Sequence, residues 1–202
     1  MLLLDEPVCA LDEATRQEVC AQLHKIQRKL GLTTIHVSHN LEETFSVADK
    51  AAILYQGRLQ QVGDMNKLLR RPQNEFVARF MRCRNIFSGE VSSQEPESSN
   101  TRVRVDSVDL LVPGKHRGRI KFIIRPENIL LSTKPISGSV DNKLQVKLIR
   151  SRDFGNYVQV ELKGPLDLVA HLSNAAFAEL KAKPQTDLTA VLHAENIHVL
   201  PQ

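Results

Sequence analysis

Leu2-Leu3-Leu4-Asp5-Glu6-Pro7 begins as an apolar run and closes on two carboxylates and a proline. A short unbroken apolar run suits a strand buried on both faces of a parallel sheet. Two acids at its end put negative charge at the edge of such a sheet, where α/β folds bind their ligands. Taken alone, Asp-Glu-Pro is more commonly a strand end entering a turn. The order of the downstream segments gives it meaning. Ala10-Leu11-Asp12 leads into Glu13 to Leu30, a predicted helix with Val19, Leu23, Ile26 and Leu30 on one face. Asp12 is placed to cap its start, and Gly31 to supply a left-handed residue at its end. Thr33 to Val37 is β-branched and reads as a second parallel strand reached by a βαβ crossover. Val37-Ser38-His39 stands at its end.

Further on, Asn40 with Glu43 three residues later has the form of a capping box for a helix to about Ala48. Ala51 to Tyr55 and Leu59 to Val62, separated by Gln56-Gly57-Arg58, predict a hairpin. Met65 to Arg70 and Glu75 to Met81 predict two helices split by Pro72. Near Ser92 the character changes from alternating strand and helix to short β-rich runs broken by Gly, Pro and Asn, an α/β region followed by an all-β region. Ser92 to Asn100 holds no apolar residue and reads as an exposed linker, around 92–101. Beyond it lies a weak internal repeat. Phe87-Ser88-Gly89-Glu90-Val91 echoes Ile136-Ser137-Gly138-Ser139-Val140, and Ile124-Arg125-Pro126-Glu127-Asn128-Ile129 echoes Leu192-His193-Ala194-Glu195-Asn196-Ile197. A helical insertion over Asn174 to Lys183 lengthens the second copy, so two related small β-barrels or half-barrels are expected. Alternation at Val158, Val160 and Leu162 turns one face inward, as in a barrel of the OB kind.

The 202 residues, 42% hydrophobic and 25% charged, suit two modest soluble domains. No apolar run approaches the roughly 20 residues of a membrane span, and the start lacks the basic region of a secretory signal. A cytoplasmic address is expected. Three cysteines without metal-ligand spacing read as reduced thiols. The net charge of +4 comes from basic residues scattered among acids, with few aromatics, which argues against a nucleic-acid partner.

In order and spacing, Asp5-Glu6-Pro7, Ala10-Leu11-Asp12 and Val37-Ser38-His39 resemble the Walker B, D-loop and H-switch of ABC transporter ATPases. The resemblance implies that residues 1–84 form the C-terminal half of a P-loop ABC ATPase domain. It implies that Asp5 contacts Mg²⁺ through water and that Glu6 is the general base against the γ-phosphate of ATP. It also implies that Asp12 lies in a loop crossing a head-to-tail homodimer and that His39 contacts the γ-phosphate. Cys9 stands where Ser is usual, and Asn40 where Asp is common. Neither G-x-x-x-x-G-K-[ST] nor Leu-Ser-Gly-Gly-Gln occurs, so ATP and Mg²⁺ are expected to act only in an intact parent protein. The 202 residues alone are expected neither to bind ATP tightly nor to hydrolyse it. The same gap predicts exposed apolar edges around Met1 to Leu4. His36 shows no sequence partner and reads as packed or edge-exposed.

Ile124 to Ile129, Gly155-Asn156-Tyr157-Val158-Gln159-Val160 and a closing strand through Val199 resemble the TOBE domains appended to importer ATPases. The resemblance implies an all-β, OB-like TOBE domain over 85–202. It implies permease subunits as partners and a peripheral place on the cytoplasmic face of the plasma membrane. Arg84-Asn85-Ile86-Phe87-Ser88-Gly89 resembles the Ser-Ala-Arg-Asn segment of molbindin-type oxyanion-binding domains, with Arg82 and Cys83 in place of Ser and Ala. An oxyanion of the molybdate or tungstate kind is therefore a candidate ligand, with Ser137-Gly138-Ser139 as further donors. Arg125 is expected to pair with Glu127 or a neighbour rather than to hold a ligand. Two function classes stay open: an importer ATPase subunit, and a non-catalytic oxyanion-binding or regulatory protein.

Overall fold

The apolar run and the β-branched run pair as predicted. β1 (Leu2–Asp5) and β2 (Thr34–Val37) lie parallel, with Leu2 opposite Thr34 and Asp5 opposite Val37. The computed structural model describes residues 1–94, 99–134 and 142–201 and divides into two compact units, Met1–Leu69 and the chain from Arg70 onward. The composition shift near Ser92 and the resemblance, which ends the ATPase region at residue 84, both lie downstream of this division.

In the first unit, α1 (Glu13–Leu30) joins β1 to β2. It starts because Asp12 accepts hydrogen bonds from Thr15, and it stops at Gly31, whose φ of 60° is the left-handed value glycine takes without a Cβ clash. Its inward face is rotated from the predicted one. Cys20 is fully buried, whereas Ile26 and Leu30 are exposed. α2 (Leu41–Val47) follows β2, then β3 (Ala51–Tyr55) and β4 (Arg58–Gly63) form the hairpin around Gln56 and Gly57, both at positive φ. That pair of angles is what a two-residue turn matching the strand twist requires. α3 (Met65–Arg70) buries Met65 and Leu68.

α4 (Glu75–Phe80) belongs to the second unit. Ala78 and Cys83 pack with Ile123 and Leu200, and Ile86 lies against them. Polar ties reinforce this: Lys121 Nζ reaches Glu75 at 2.7 Å, Arg125 donates to the Met81 carbonyl at 2.8 Å, and His198 Nε2 donates to the Pro72 carbonyl at 2.9 Å.

The rest of the second unit is a duplicated β structure. β5 (Asn85–Gln94), β6 (Asn100–Val105), β7 (Val108–Pro113), β8 (Arg119–Ile124) and β9 (Ile129–Ser132) make the first copy. β10 (Asn142–Asp153), β11 (Val158–Lys163), β12 (Leu168–Leu172), α5 (Asn174–Leu180), β13 (Asp187–Leu192) and β14 (Ile197–Val199) make the second. The sheet orders are β14-β8-β5-β6-β7 and β12-β11-β10-β13-β9, so the two copies exchange their last strands. In each sheet the edge strands approach one another, β14 towards β7 and β12 towards β9, which curls the sheet into an OB-like half-barrel. One continuous apolar core runs through both, including Phe122, Leu110, Val160, Leu168 and Leu192. The predicted inward residues Val158, Val160 and Leu162 are buried, and Phe177 and Leu180 of the inserted α5 pack against the same core.

The copies match in detail. Asn85 and Asn142 each begin a central strand and are buried. Asn85 donates to the carbonyls of Ile124 and Val169 and accepts from the Val169 N–H; Asn142 does the same with Leu192 and Leu111. Each amide thereby ties its own sheet to an edge strand of the other. Irregularities in pairing fall at the same offset, after Val91 in β5 and after Leu148 in β10. A single 3₁₀ turn precedes each exchanged strand, at Pro126–Asn128 and Ala194–Asn196, as the echo between those segments implies. The other echo needs correction: the counterpart of Asn85 is Asn142, so Phe87 corresponds to Leu144. Ile136 to Val140 lies outside the described residues, as does Ser137-Gly138-Ser139.

The linker reading of Ser92 to Asn100 changes too. Ser93 pairs with Arg102 and Gln94 with Thr101, so residues 92–94 continue β5 and Asn100 begins β6. The remainder, 95–98, lies outside the described residues. A strand this polar holds because Val91 and Val103 anchor its pairing; Val103 is fully buried.

Candidate active site

The crossover from β1 through α1 to β2 brings the two predicted strand ends side by side. With Asp5 opposite Val37, the next residue of each strand leaves the ladder at the same edge. Glu6 adds one more ladder bond, donating its N–H to the Val37 carbonyl at 3.0 Å, then turns out with a φ of 45°. A left-handed conformation costs a non-glycine residue on the order of 1 kcal/mol, a strain concentrated where side-chain aim matters. The turn after Glu6 is anchored by Val8, which is buried.

On the other strand, Ser38 leads to His39, and its Nδ1 lies 3.1 Å from Glu6 Oε1. These residues are 33 positions apart in sequence. Both side chains are open to solvent, His39 72% and Glu6 45% exposed. An exposed pair of this kind is worth no more than about 1 kcal/mol, so the strand register holds them together rather than their attraction.

Asp12 stands apart in role. Its two carboxylate oxygens accept from the Thr15 N–H at 3.1 Å and the Thr15 hydroxyl at 2.7 Å, and the backbone bond holds its pKa below the usual value. In this chain its carboxylate works as a helix cap. Asp5 is the last residue of β1, on the same face as Leu3, Ile35 and Val37. Among the described residues no three His, Cys, Asp or Glu side chains converge to hold a metal. A lone carboxylate at a strand end suits Mg²⁺, which commonly takes one or two protein carboxylates and fills its other positions with phosphate oxygens and water.

His36, whose partner the sequence does not reveal, has one in the structure. Its Nε2 lies 2.5 Å from Oε1 of Glu43, whose Oε2 accepts from the Ser38 hydroxyl at 2.7 Å. Asn40 caps α2 through the N–H groups of Glu42 and Glu43, but the return half of the capping box is absent. The Asn40 N–H bonds instead to Ser38 Oγ at 3.0 Å, and Glu43 turns inward. Spacing alone singles out Glu43, but nothing local identifies its partners.

The two faces of the β1–β2 pair differ. Leu2, Leu4, Thr34 and His36 are half-buried on the side of a cleft also lined by Leu23 and Val47. On the other face Leu3 is 65%, Ile35 54% and Val37 52% exposed. The predicted exposed apolar surface is therefore a face of the sheet.

The chain is similar to proteins of known role. A molybdate/tungstate import ATP-binding protein of Pyrococcus abyssi is 33% identical over 181 residues, covering 89% of this chain and 51% of that protein. The chain is homologous to the ATP-binding subunits of ABC importers. A spermidine/putrescine import ATP-binding protein of Clostridioides difficile is 32% identical over 203 residues, covering 99% of the chain and 54% of that protein. The chain thus spans about half the length of the curated importer subunits it matches. No family model matches it. A crystal structure of the molybdate-binding protein ModG overlaps loosely, with a TM-score of 0.49 and 22% identity over 59% of this chain and 97% of that one. Importer subunits named for different solutes match almost equally well, so the comparison selects no solute.

Proposed function

We propose that this chain supplies the catalytic strand ends of an importer ATPase that drives solute uptake. The observation that carries the reading is the Glu6–His39 contact at 3.1 Å, formed by the parallel register of β1 and β2. Glu6, aimed out of the strand, is the general base that takes a proton from the attacking water. His39, beside it, orients towards the γ-phosphate. Asp5 would hold Mg²⁺, which supplies charge neutralisation on the phosphates when bound. Asp12 shapes the turn at the seam of a homodimer, with permease subunits as the membrane partners. A TOBE domain occupies residues 85–202 and the ATPase region residues 1–84, with segment 70–84 docked on the β structure.

The chain's sequence holds no phosphate cradle, so activity depends on polypeptide that carries one. The expected result is that the purified chain shows no Mg²⁺-dependent ATP hydrolysis. Combined with a polypeptide bearing a Walker A and signature sequence, it gains hydrolysis that Glu6→Gln lowers by roughly 10² to 10⁴. Undiminished hydrolysis in the Gln variant would refute the role of Glu6.

A second reading, an oxyanion-binding β unit, draws on the molybdate/tungstate name of one relative and on the exposed Arg84, whose charge, like that of Arg125, acts on His171. Asn85 and Cys83 of the same segment are buried, and the Asn85 amide is already bonded to backbone. Arg125 pairs with Glu127 at 3.0 Å, as expected. Calorimetric titration with molybdate, tungstate and sulfate tests this reading, and heat from molybdate that Arg84→Ala abolishes would favour it.

A further inference from the structure

Glu43 is 6% exposed, an unusual place for a carboxylate, and both its oxygens are engaged. One holds His36 on β2; the other holds the Ser38 hydroxyl. That hydroxyl in turn accepts the Asn40 N–H. The residues on either side of His39 are therefore tied through one oxygen atom to a carboxylate fixed on α2. The His39 side chain itself is largely exposed. His36 lies opposite Leu4 on β1, so the same carboxylate also bears on the strand that delivers Glu6.

We propose that Glu43 is a positioning residue for His39: by clamping Ser38 it holds the β2–α2 turn in the conformation that sets His39 against Glu6. The inference rests on reading Glu6 and His39 as the active pair, and it adds a residue that bears on His39 through the Ser38 hydroxyl. Glu43 touches neither substrate nor reacting atoms. Its carboxylate acts by geometry, and an amide oxygen in the same place can also accept the Ser38 hydroxyl.

The test uses the whole 202-residue chain and the His39 imidazole resonance, with Glu6→Gln as the probe of contact. In the otherwise unaltered chain Glu6→Gln shifts that resonance. With Glu43→Ala the response is lost, and the Asn40 amide exchanges about fivefold faster with solvent, the effect of losing one modest hydrogen bond. With Glu43→Gln both return to the original behaviour. Amides of α1 report whether the fold is intact; if Glu43→Ala unfolds the unit, Ser38→Ala, which leaves the His36–Glu43 pair in place, gives the same expected loss. A His39 response that survives both Glu43→Ala and Ser38→Ala overturns the positioning role while leaving the active pair standing. Silence of His39 towards Glu6→Gln in the unaltered chain overturns the pair itself, and the inference with it.

Discussion

From Arg70 onward the chain covers its apolar strand faces with its own strands, whereas Met1–Leu69 leaves one face of its parallel pair bare. In the β unit two curled sheets share one core, and each borrows a strand from the other copy. In the α/β unit Leu3, Ile35 and Val37 face solvent, although parallel sheets are normally covered on both sides. The difference separates a unit that buries its apolar strand faces in one shared core from one that leaves such a face open.

The contrast is open to attack at several strengths. Phe122→Ala removes a fully buried ring from the β core and is expected to destabilise that unit by about 3–5 kcal/mol, read by calorimetry as a lowered unfolding temperature. A loss below about 1 kcal/mol would mean that the shared core is not what holds the sheets. Asn142→Ala strands the Leu111 N–H and weakens two carbonyl contacts, at an expected cost of about 2–3 kcal/mol by urea unfolding; Asn85→Ala should match it if the repeat is energetically symmetric.

A smaller effect is expected from pH. Burial lowers the pKa of His198 from its ordinary 6.5, outweighing the upward pull of its bond to the Pro72 carbonyl. The folded state then holds the neutral ring, so this contribution is present above pH 6.5 and is lost as pH falls through the depressed folded pKa. Urea midpoints should decline on acidification below 6.5, and His198→Gln should flatten some of that slope. The residual slope would carry the same sign, because burial also lowers the pKa of His171. Smallest of all, Leu3→Thr on the bare face should change stability by less than about 0.5 kcal/mol while reducing self-association in light scattering. A large destabilisation would show that this face is covered after all.

Much of the fold is legible in the sequence where local chemistry decides the outcome. The caps at Asp12 and Asn40, the stop at Gly31, the hairpin at Gln56-Gly57 and the break at Pro72 all act within a few residues. The strand ends bearing Glu6 and His39 are legible because their order is a motif, but their contact depends on register, which no local signal fixes. The buried face of α1 is misplaced by periodicity because Ile26 and Leu30 are apolar yet exposed. Glu43 shows in sequence as half of a capping box, and its inward turn arises because Ser38 occupies the N–H that the box would have used. The polar stretch around Ser93 hides a strand because backbone pairing with Arg102 needs no apolar side chain of its own. The strand exchange is out of reach, since an echo of sequence shows that two copies exist and says nothing of which copy each strand joins.

That exchange sets a timetable for the chain as it is made. β8 leaves the synthesis machinery with β5 already beside it, but its other neighbour is β14, so Ile124 waits for Ile197. β9 in turn emerges with no sheet to join until β13 follows. The second half-barrel can close once β13 is made, but the first is finished only by β14, the last strand among the described residues, and until then the edge of β8 is open to pairing with another chain.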